Sequence, residues 1–351
     1  MIVDRKVLLR ELESVTPGFA RRPIIEQSCW FVFKDGDVFT HNDEVSCRRR
    51  CCLKIEGAVH ARPLLKVLKK SKGLTFKVQT LPEHLRLSNF HNKARIVRDP
   101  KISLAIDSVE EPKTWSPLGK EFLEAVSLTV DSVARATTND ALTYLHITPE
   151  KVEAGNDGEL CRYRTATGLT ESILIKPDVV TPIIQADVKK VSLTKDWIHF
   201  KDRSGLLISC RRYHEAFPDT SKIFEAKGNR LTLPVELIGA IERANLFAKR
   251  NYNHVLRGTV QCKIPTDQRV SIVLQENKVK VIGTSTIDEK LKGEYTEFVD
   301  VQYQGPPMCF KKDADWISRI VRRYTECQVT PERLIVRTPK LAHVFVVDGE
   351  E

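Results

Sequence analysis

Hydrophobic residues recur along the chain with two spacings, every three to four residues in some segments and every second residue in others. The first spacing is typical of amphipathic helices and occurs at residues 4–12, 118–136 and 234–250. The second is typical of antiparallel strands, as in CWFVFKDGDVFTHNDEVSCRRR and VSIVLQENKVKVIGTS, which surround Asp-Gly and Glu-Asn turns. The pattern predicts an α+β fold in which helices pack on antiparallel sheets.

This pattern repeats three times, because the 351 residues divide into thirds of about 117, each of which opens with a helix signal. Each third also contains a second helix signal, followed by a strand, a short turn and another strand. These second helices are ARPLLKVLKKSK, KPDVVTPIIQADVKK and KKDADWISRIVRRYTE. We therefore predict three similar domains of two helices each, at residues 1–115, 116–230 and 231–351, with boundaries in the Pro-containing stretch 110–117 and the polar run 225–230.

The composition favours a soluble globular protein, since 41% hydrophobic and 29% charged residues allow sizeable cores. No apolar run approaches the about 18 residues of a membrane helix. The opening segment MIVDRKVLLRELES carries charges where a secretion signal would be apolar. We expect a cytoplasmic protein without membrane association.

Positive charge is in excess, with 56 Lys and Arg against 46 Asp and Glu, a net charge of +10 that favours a polyanionic partner such as nucleic acid. Two predicted helices carry cations on the face opposite their apolar residues. These cations are Arg62, Lys66, Lys69 and Lys70 in one helix and Arg319, Arg322 and Arg323 in the other, with Lys6, Arg10, Lys249 and Arg250 on further predicted helices. For any single helix, a merely solvated face is an equally good interpretation. Because no base-reading motif is present, we predict that nucleic acid is bound through its phosphates, without sequence specificity.

Familiar catalytic motifs are absent from the sequence, including the Walker-type glycine loop, the dinucleotide fingerprint, H-E-x-x-H and G-x-S-x-G. The nine histidines are scattered singly, and the nine cysteines show no C-x-x-C spacing. The tightest cysteine group, Cys47, Cys51 and Cys52, has no fourth ligand at a suitable spacing, so strand side chains are the simpler interpretation. We expect reduced thiols and no catalytic residue, metal site or cofactor, although a site could still assemble from residues distant in sequence.

Four segments of the chain carry a likeness to a known family. They are RRYHEAFPDTSKIF at 211–224, with a Phe-Pro-Asp stretch, ALTYLHITPEKVEAGNDGEL at 141–160, with an Asp-Gly turn, GAVHARPLLKVLKKSK, and ARRPII at 20–25. These segments resemble the bacterial sliding clamp, which is the beta subunit of DNA polymerase III. The resemblance is dispersed over nearly the whole chain at low identity.

The resemblance implies a DNA clamp fold and a head-to-tail homodimer of six similar domains, closed as a ring around duplex DNA. Such a ring is a processivity factor for the replicative DNA polymerase and not an enzyme. Arg22 matches a DNA-contacting arginine of the family, and Leu246 and Phe247 match apolar residues of its subunit interface. Weak phosphate contacts suit this function, because tight base readout would stop sliding.

The family also has a peptide pocket between its second and third domains, used in turn by polymerases, the clamp loader and repair proteins. Carried over by position, the pocket residues are Leu142, Gly158, Leu160, Pro218, Lys222, Ile223, Phe345 and Val347. An apolar pocket with a few polar groups suits a short peptide. For each residue, ordinary core or strand packing is the alternative interpretation.

The chain departs from the family at Lys222, where arginine is usual, in its VVDGEE ending and in its net positive charge. Two other functions therefore stay open. One is a clamp-like accessory or decoy protein that keeps the peptide pocket without encircling DNA, which a stable monomer would favour. The other is a DNA-processing enzyme with a dispersed metal site, which metal-dependent cleavage would favour.

Overall fold

The computed structural model describes residues 1–20, 22, 25–135, 137, 139–225, 227–248, 252–257, 260–265, 269–287 and 291–350. The chain forms two compact units. The first unit consists of Met1–Ala154 and Arg164–Phe217, and the second of Gly155–Tyr163 and Pro218–Glu351. Residues 155–163 therefore belong with the C-terminal part of the chain, although they lie near the middle of the sequence.

Each predicted third contains two α-helices within the described ranges. They are α1 (Arg5–Ser14), α2 (Ala61–Lys70), α3 (Phe122–Thr129), α4 (Val180–Gln185), α5 (Glu236–Ala248) and α6 (Ala314–Arg323). Aspartates begin two of them, since Asp4 accepts a hydrogen bond from the N–H of Val7 at 2.8 Å and Asp313 accepts one from Trp316 at 2.9 Å. A search of the described helices finds none with the length and hydrophobicity of a membrane span.

Two helices of the second third are shorter than the sequence predicts. Helix α3 ends at Thr129, whose hydroxyl donates to the carbonyl of Ala125 at 2.8 Å, and a 3-10 turn follows. Helix α4 ends before Asp187, whose φ of 51° is left-handed and cannot continue the helix. Local hydrogen bonding and backbone geometry therefore shorten these helices despite their apolar periodicity.

Antiparallel strands supply the remaining regular structure. They are β1 (Ile2–Asp4), β2 (Trp30–Lys34), β3 (Asp37–His41), β4 (Val45–Arg50), β5 (Gly57–His60), β6 (Thr75–Thr80), β7 (His84–Ser88), β8 (Lys93–Asp99), β9 (Ser116–Pro117), β10 (Leu145–Ile147), β11 (Lys151–Gly155), β12 (Glu159–Arg164), β13 (Ile173–Ile175), β14 (Lys190–Leu193), β15 (Trp197–Lys201), β16 (Leu207–Arg211), β17 (Asn229–Thr232), β18 (Tyr252–Arg257), β19 (Val260–Pro265), β20 (Arg269–Gln275), β21 (Lys278–Ile287), β22 (Leu291–Asp300), β23 (Met308–Asp313), β24 (Glu326–Val329), β25 (Arg333–Arg337), β26 (Leu341–Val346) and β27 (Asp348–Glu350).

The first unit contains a twelve-stranded sheet in the order β1-β6-β7-β8-β5-β2-β3-β4-β16-β15-β14-β9. Strand β4 of the first third pairs antiparallel with β16 of the second, with Arg48 opposite Leu207 and Val45 opposite Cys210. We call this pairing the first joint. It makes the first and second thirds continuous through backbone hydrogen bonds.

Helices α1 and α2 pack against each other in the first unit, and α2 also contacts β2, β5 and β8. Leu8 and Leu12 of α1 and Leu64 and Leu68 of α2 are fully buried. Each such side chain contributes about 1.5–3 kcal/mol on burial, so these positions fix which faces of the helices point inward.

The second unit contains the strands β12-β26-β25-β24-β17 and a five-stranded sheet in the order β22-β21-β20-β23-β27. Strand β12 pairs antiparallel with β26, with Leu160 opposite Val344 and Arg162 opposite Ala342. We call this pairing the second joint. Helices α5 and α6 contact each other, and Ile241 and Ile317 lie in the shared apolar core.

Candidate functional sites

The basic face of α2 consists of Arg62, Lys66, Lys69 and Lys70, all of which are exposed. Burial of the leucines on the opposite side turns these cations outward. Lys69 forms an ion pair with Glu13 at 2.8 Å. Among the described residues, the other three have no carboxylate within ion-pair distance, so their charge is available to a polyanion.

Helix α1 adds two exposed cations, Lys6 and Arg10, which likewise have no carboxylate partner among the described residues. A third cation, Arg5, instead fixes the two helices together. Its guanidinium donates to the carbonyl of Leu68 at 2.8 Å and to that of Gly73 at 2.9 Å. Cations on α1 and α2 therefore divide between holding the helices together and facing solvent.

The cations of α6 have partners inside the protein. Arg319 donates to the buried Glu159 at 3.1 Å, and Arg322 donates to Glu242 of α5 at 2.6 Å. The guanidinium of Arg323 lies 5.6 Å from the ring centroid of Tyr324. Their positive charge is therefore partly compensated, unlike that of α2, and their assignment to DNA stays a prediction.

Three further residues predicted to contact DNA lie beside or within parts of the chain that the structure does not describe. Arg22 is exposed, and residues 21, 23 and 24 beside it lie outside the described part of the chain. Lys249 and Arg250 also lie outside the described residues, just beyond the end of α5.

The predicted peptide-binding residues of the second unit gather around the second joint. Before β12 the chain turns at Asn156, whose side-chain oxygen accepts the N–H groups of Gly158 at 2.8 Å and Glu159 at 3.0 Å. The carbonyl of Gly158 accepts the N–H of Val346 at 2.8 Å. The Asp-Gly turn is thereby held against the last residue of β26.

These residues differ in accessibility. Leu160, Phe345 and Val347 are only 1–6% exposed and belong to the packed interior. Ile223 is 36% exposed, Lys222 is exposed, and Pro218 is half-buried. Only the second group can contact a ligand without rearrangement. The remaining residue, Leu142, lies in the first unit on a 3-10 helix, Asp140–Thr143, and is half-buried.

Local hydrogen bonds order the segment that presents Lys222 and Ile223. Asp219 accepts the N–H of Ser221 at 3.0 Å, and this bond lowers the pKa of the Asp219 carboxyl. Arg162 of β12 donates to Thr220 at 2.7 Å, and its guanidinium lies 4.2 Å from the ring centroid of Phe224. The sequence analysis did not single out Arg162, because its partners lie about 60 positions away.

Glu159 is the centre of a buried polar cluster at the second joint. Its carboxylate lies 3.3 Å from Nε2 of His343 and 3.1 Å from Arg319. Burial alone would raise the pKa of the Glu159 carboxyl, but the hydrogen bond to His343 and the charge of Arg319 together outweigh it and leave the pKa lowered. Burial also lowers the pKa of His343, so a neutral histidine faces an ionised glutamate.

The first joint borders a cavity of about 780 Å³ within the first unit. At this cavity Lys176 donates to Glu44 at 2.6 Å, and the hydroxyl of Tyr213 donates to the same carboxylate. Apolar walls come from Phe19 and Pro182, among others. The sequence analysis missed this cavity, although the threefold repeat could have indicated that each joint has similar surroundings.

Within the described part of the chain, strands β22 and β8 each have an edge, or part of one, without a strand partner. Strand β22 is the edge of its five-stranded sheet, and Phe298 on it is 56% exposed. Strand β8 pairs with β7 over its first five residues, but with β5 only at Arg98 and Asp99. Residues 93–97 of β8 therefore have one side without a strand partner among the described residues.

The predicted interface residues lie beside the first of these edges. Leu246, near the end of α5, is 63% exposed. The ring of Phe247 stacks on Tyr295 of β22, with 5.5 Å between centroids. Arg243 of α5 donates to Glu297 of β22 at 2.7 Å and fixes the helix to the edge strand.

Comparison with solved structures finds one fold over the whole chain, whereas comparison of the sequence with protein-family profiles and with curated proteins finds no match. The chain is similar to a sliding clamp of Pseudomonas aeruginosa bound to griselimycin, with a TM-score of 0.78 and 12% identity over 99% of this chain and 98% of that one. It is similar to the sliding clamp of Bacillus subtilis, with a TM-score of 0.77 and 14% identity over 100% and 99%. For the DNA polymerase III beta subunit of Thermotoga maritima the values are 0.80 and 13% over 100% and 99%. The chain therefore has the sliding clamp fold, and the predicted fold class is confirmed.

Proposed function

We propose that this chain is a divergent member of the DNA polymerase III beta subunit family, a sliding clamp that encircles duplex DNA and tethers the replicative DNA polymerase. The observation that carries the proposal is the clamp fold over 99–100% of the chain. Under this proposal the three thirds are clamp domains. The protein acts in the cytoplasm as a processivity factor, without catalytic residues or a cofactor.

Ring closure would use an interaction that occurs twice within the chain. At the first joint β4 pairs with β16, and at the second β12 pairs with β26. In both cases the second strand before the later helix of one repeat pairs with the third strand after the later helix of the next repeat. The equivalent strands left over are β22 in the third repeat and β8 in the first. Pairing β22 of one copy with β8 of a second copy, twice over, would close a head-to-tail homodimer.

Charge and apolar exposure support this pairing. Strand β8 carries the exposed cations Lys93 and Arg95, whereas β22 carries the exposed Glu294 and Asp300. Opposite charges across a strand pair are favourable, and like charges are not. The exposed ring of Phe298 would gain cover in the same contact.

Phosphate contact without base readout would hold DNA inside the ring. The main candidates are the cations of α1 and α2 that have no carboxylate partner within the described ranges, namely Lys6, Arg10, Arg62, Lys66 and Lys70. Each phosphate neutralised makes the logarithm of the binding constant fall by about 0.9 per tenfold rise in salt. Such contacts exchange freely between neighbouring phosphates and so permit sliding.

Peptide segments of the polymerase, the clamp loader and repair proteins would bind at the second joint. Pro218, Lys222 and Ile223 offer the accessible surface there, above the buried Leu160 and the strand β26. Lys222 offers a point charge where the family has the two-pronged guanidinium of arginine. We therefore expect Lys222 to orient an acidic group of the bound peptide less strictly than an arginine would.

The oligomeric state tests ring formation. Light scattering across protein concentration is expected to give a particle of 80.0 kDa, which is 2 × 40.0 kDa. A monomer at micromolar concentration would contradict ring closure, because one chain alone would not enclose DNA.

Sliding clamps from Pseudomonas aeruginosa and Bartonella birtlesii are bound to griselimycin, and we propose the second joint as its binding site on this chain. We expect it to bind this chain, and Ile223→Lys to reduce the affinity at least tenfold by placing a charge in the apolar contact. Calorimetric titration measures both. The control Thr181→Lys adds the same charge at the cavity of the first joint and is expected to bind normally. If Ile223→Lys binds griselimycin as the wild type does, the second joint is not the binding site.

A further inference from the structure

The structure brings together three potential metal ligands that are far apart in the sequence. Glu11 of α1 lies beside Cys51 and Cys52, which directly follow β4, and one ligand atom from each lies within 4.8 Å of the other two. We propose that Glu11, Cys51 and Cys52 form a binding site for a thiophilic divalent cation of the zinc class. Its three ligands are distinct from the predicted DNA-binding cations and from the residues paired at the two joints.

The backbone holds the three ligands in place. The N–H of Cys51 donates to the carbonyl of Gly36 at 3.1 Å, which fixes the chain where β4 ends. The N–H of Cys52 donates to the Glu11 carboxylate at 2.8 Å, and the N–H of Leu53 donates to Sγ of Cys51 at 3.4 Å. The carboxylate is thus already bound to the backbone of the dithiol segment, so little ordering is needed for an ion to join them.

The burial of the ligands suits an ion that is shielded but reachable. The Cys51 side chain is 2% exposed, whereas Cys52 and Glu11 are half-buried. An ion would therefore enter from the side of Cys52 and Glu11. The hydrogen bond with Cys52 and burial both raise the pKa of the Cys51 thiol, so the ion must displace a firmly held proton. Two thiolates and one carboxylate would in turn bring three negative charges, of which a divalent cation compensates two.

The donor set selects the class of metal. Two sulfurs favour zinc, cadmium and similar soft ions over magnesium and calcium, which prefer oxygen. Three protein ligands leave one tetrahedral position for water or an exogenous ligand. Because Glu11 belongs to α1 and the cysteines follow β4, a bound ion would fasten this helix to the strand of the first joint.

The sequence-based expectation of no metal site rests on ligands that are close in sequence. Glu11 lies 40 positions before Cys51 in the sequence, and only the packing of α1 brings the two residues together. The cysteine group alone supplies two adjacent sulfurs and would not indicate a site.

Binding of Zn²⁺ or Cd²⁺ alone to the reduced, metal-free full chain tests the proposal. We expect one ion per chain, seen by calorimetry with Zn²⁺ and by the ultraviolet thiolate-to-metal band with Cd²⁺, together with a higher melting temperature. Cys52→Ser and Glu11→Gln are expected to weaken binding at least tenfold. Glutamine keeps an oxygen that can accept the N–H of Cys52, so Glu11→Gln separates ligation from folding.

The matched control is Cys29→Ser, which removes another half-buried cysteine of the first unit. It is expected to bind one ion with unchanged affinity. Circular dichroism of each variant checks that the fold persists. The proposal is overturned if the wild-type chain binds no ion at micromolar protein, or if Cys52→Ser and Glu11→Gln bind as the wild type does.

Discussion

His199 of β15 is fully buried and bonded on both ring nitrogens. Nδ1 lies 2.8 Å from the hydroxyl of Ser209, and Nε2 lies 3.0 Å from that of Thr194. Burial lowers the pKa of the imidazole to about 4, from an ordinary value of 6.5, and the charge of Glu110 offsets this only in part. The folded protein therefore holds a neutral histidine that the unfolded chain would protonate near pH 6.5.

This histidine predicts acid sensitivity with a definite sign. A group whose pKa is lowered on folding stabilises the protein above the unfolded pKa, and this stability is lost as pH falls towards the folded value. We expect the free energy of unfolding to drop less between pH 7 and 4.5 in His199→Gln than in the wild type, by about 2–3 kcal/mol. Urea unfolding at the two pH values measures the difference, and equal drops would contradict the assignment.

Arg319 is predicted to stabilise the second unit through Glu159. Arg319→Met would leave the buried carboxylate bonded to His343 without its arginine partner, and we expect the free energy of unfolding to fall by about 1–2 kcal/mol, since the arginine is itself partly exposed. Arg322→Met is the matched control, because its pair with Glu242 is exposed on both sides and contributes at most about 1 kcal/mol. Equal losses in urea unfolding would show that Glu159 does not depend on Arg319.

At the level of single residues, the sequence predicts which side chains are charged and exposed, but not what they contact. The basic face of α2 follows from the spacing of four cations and is present in the structure. The Arg319–Glu159 pair spans 160 positions and depends on tertiary packing, so no local pattern could indicate it. The same holds for Glu11 beside the two cysteines.

Among the elements, α2 gives the sharpest test of DNA contact. Arg62→Glu with Lys66→Glu reverses two exposed cations that lack carboxylate partners within the described chain. We expect weaker DNA binding, and a salt dependence whose slope falls by about 2, because each lost phosphate contact removes about 0.9. Fluorescence anisotropy of a labelled duplex at several salt concentrations measures both quantities.

The control for the α2 double variant makes the same change of charge on the side of the β6-β7 sheet that faces away from the helices. Lys77 and Arg86 alternate with the buried Phe76, Val78, Leu85 and Leu87, so they point away from the helices. Lys77→Glu with Arg86→Glu is expected to leave DNA binding nearly unchanged. If both double variants weaken binding equally, net charge and not the helix face determines affinity.

Periodicity predicted helices and hairpins well where one apolar face is continuous. Helix α6 spans Ala314–Arg323 inside the predicted segment KKDADWISRIVRRYTE at 311–326, and the Asp-Gly turn between β2 and β3 lies where expected. Helices α3 and α4 end early because of local backbone geometry. The joints could not be predicted, because strand partners far apart in sequence leave no periodic signal.

For the whole molecule, the repeat is more informative than sequence identity. Identities of 12–14% accompany TM-scores of 0.77–0.80 over essentially the full chain. Apolar spacing and turn chemistry tolerate many different side chains, so a fold persists after individual residues have diverged. The predicted fold class is therefore correct, while the division into three domains and the roles of single site residues stay predictions.

Closure by β22 and β8 predicts a variant that dissociates the ring. Lys93→Glu with Arg95→Glu places acidic residues of β8 opposite the acidic β22, and we expect the dimer dissociation constant to rise at least tenfold. Analytical ultracentrifugation measures it. The control Lys77→Glu on β6, two strands from the open edge, should leave the dimer intact, and a wild-type dissociation constant in Lys93→Glu with Arg95→Glu would exclude β8 as the interface.

The central claim is that the protein encircles DNA, and topological retention tests it most directly. Linear duplex fixed at one end is incubated with the protein at low salt, its free end is then blocked with a bulky protein, and the DNA is washed at high salt. We predict that protein stays on doubly blocked DNA and leaves when a restriction enzyme cuts the duplex, because only a closed ring survives the loss of phosphate contacts. Complete release by the salt wash, with both ends still blocked, would contradict the account.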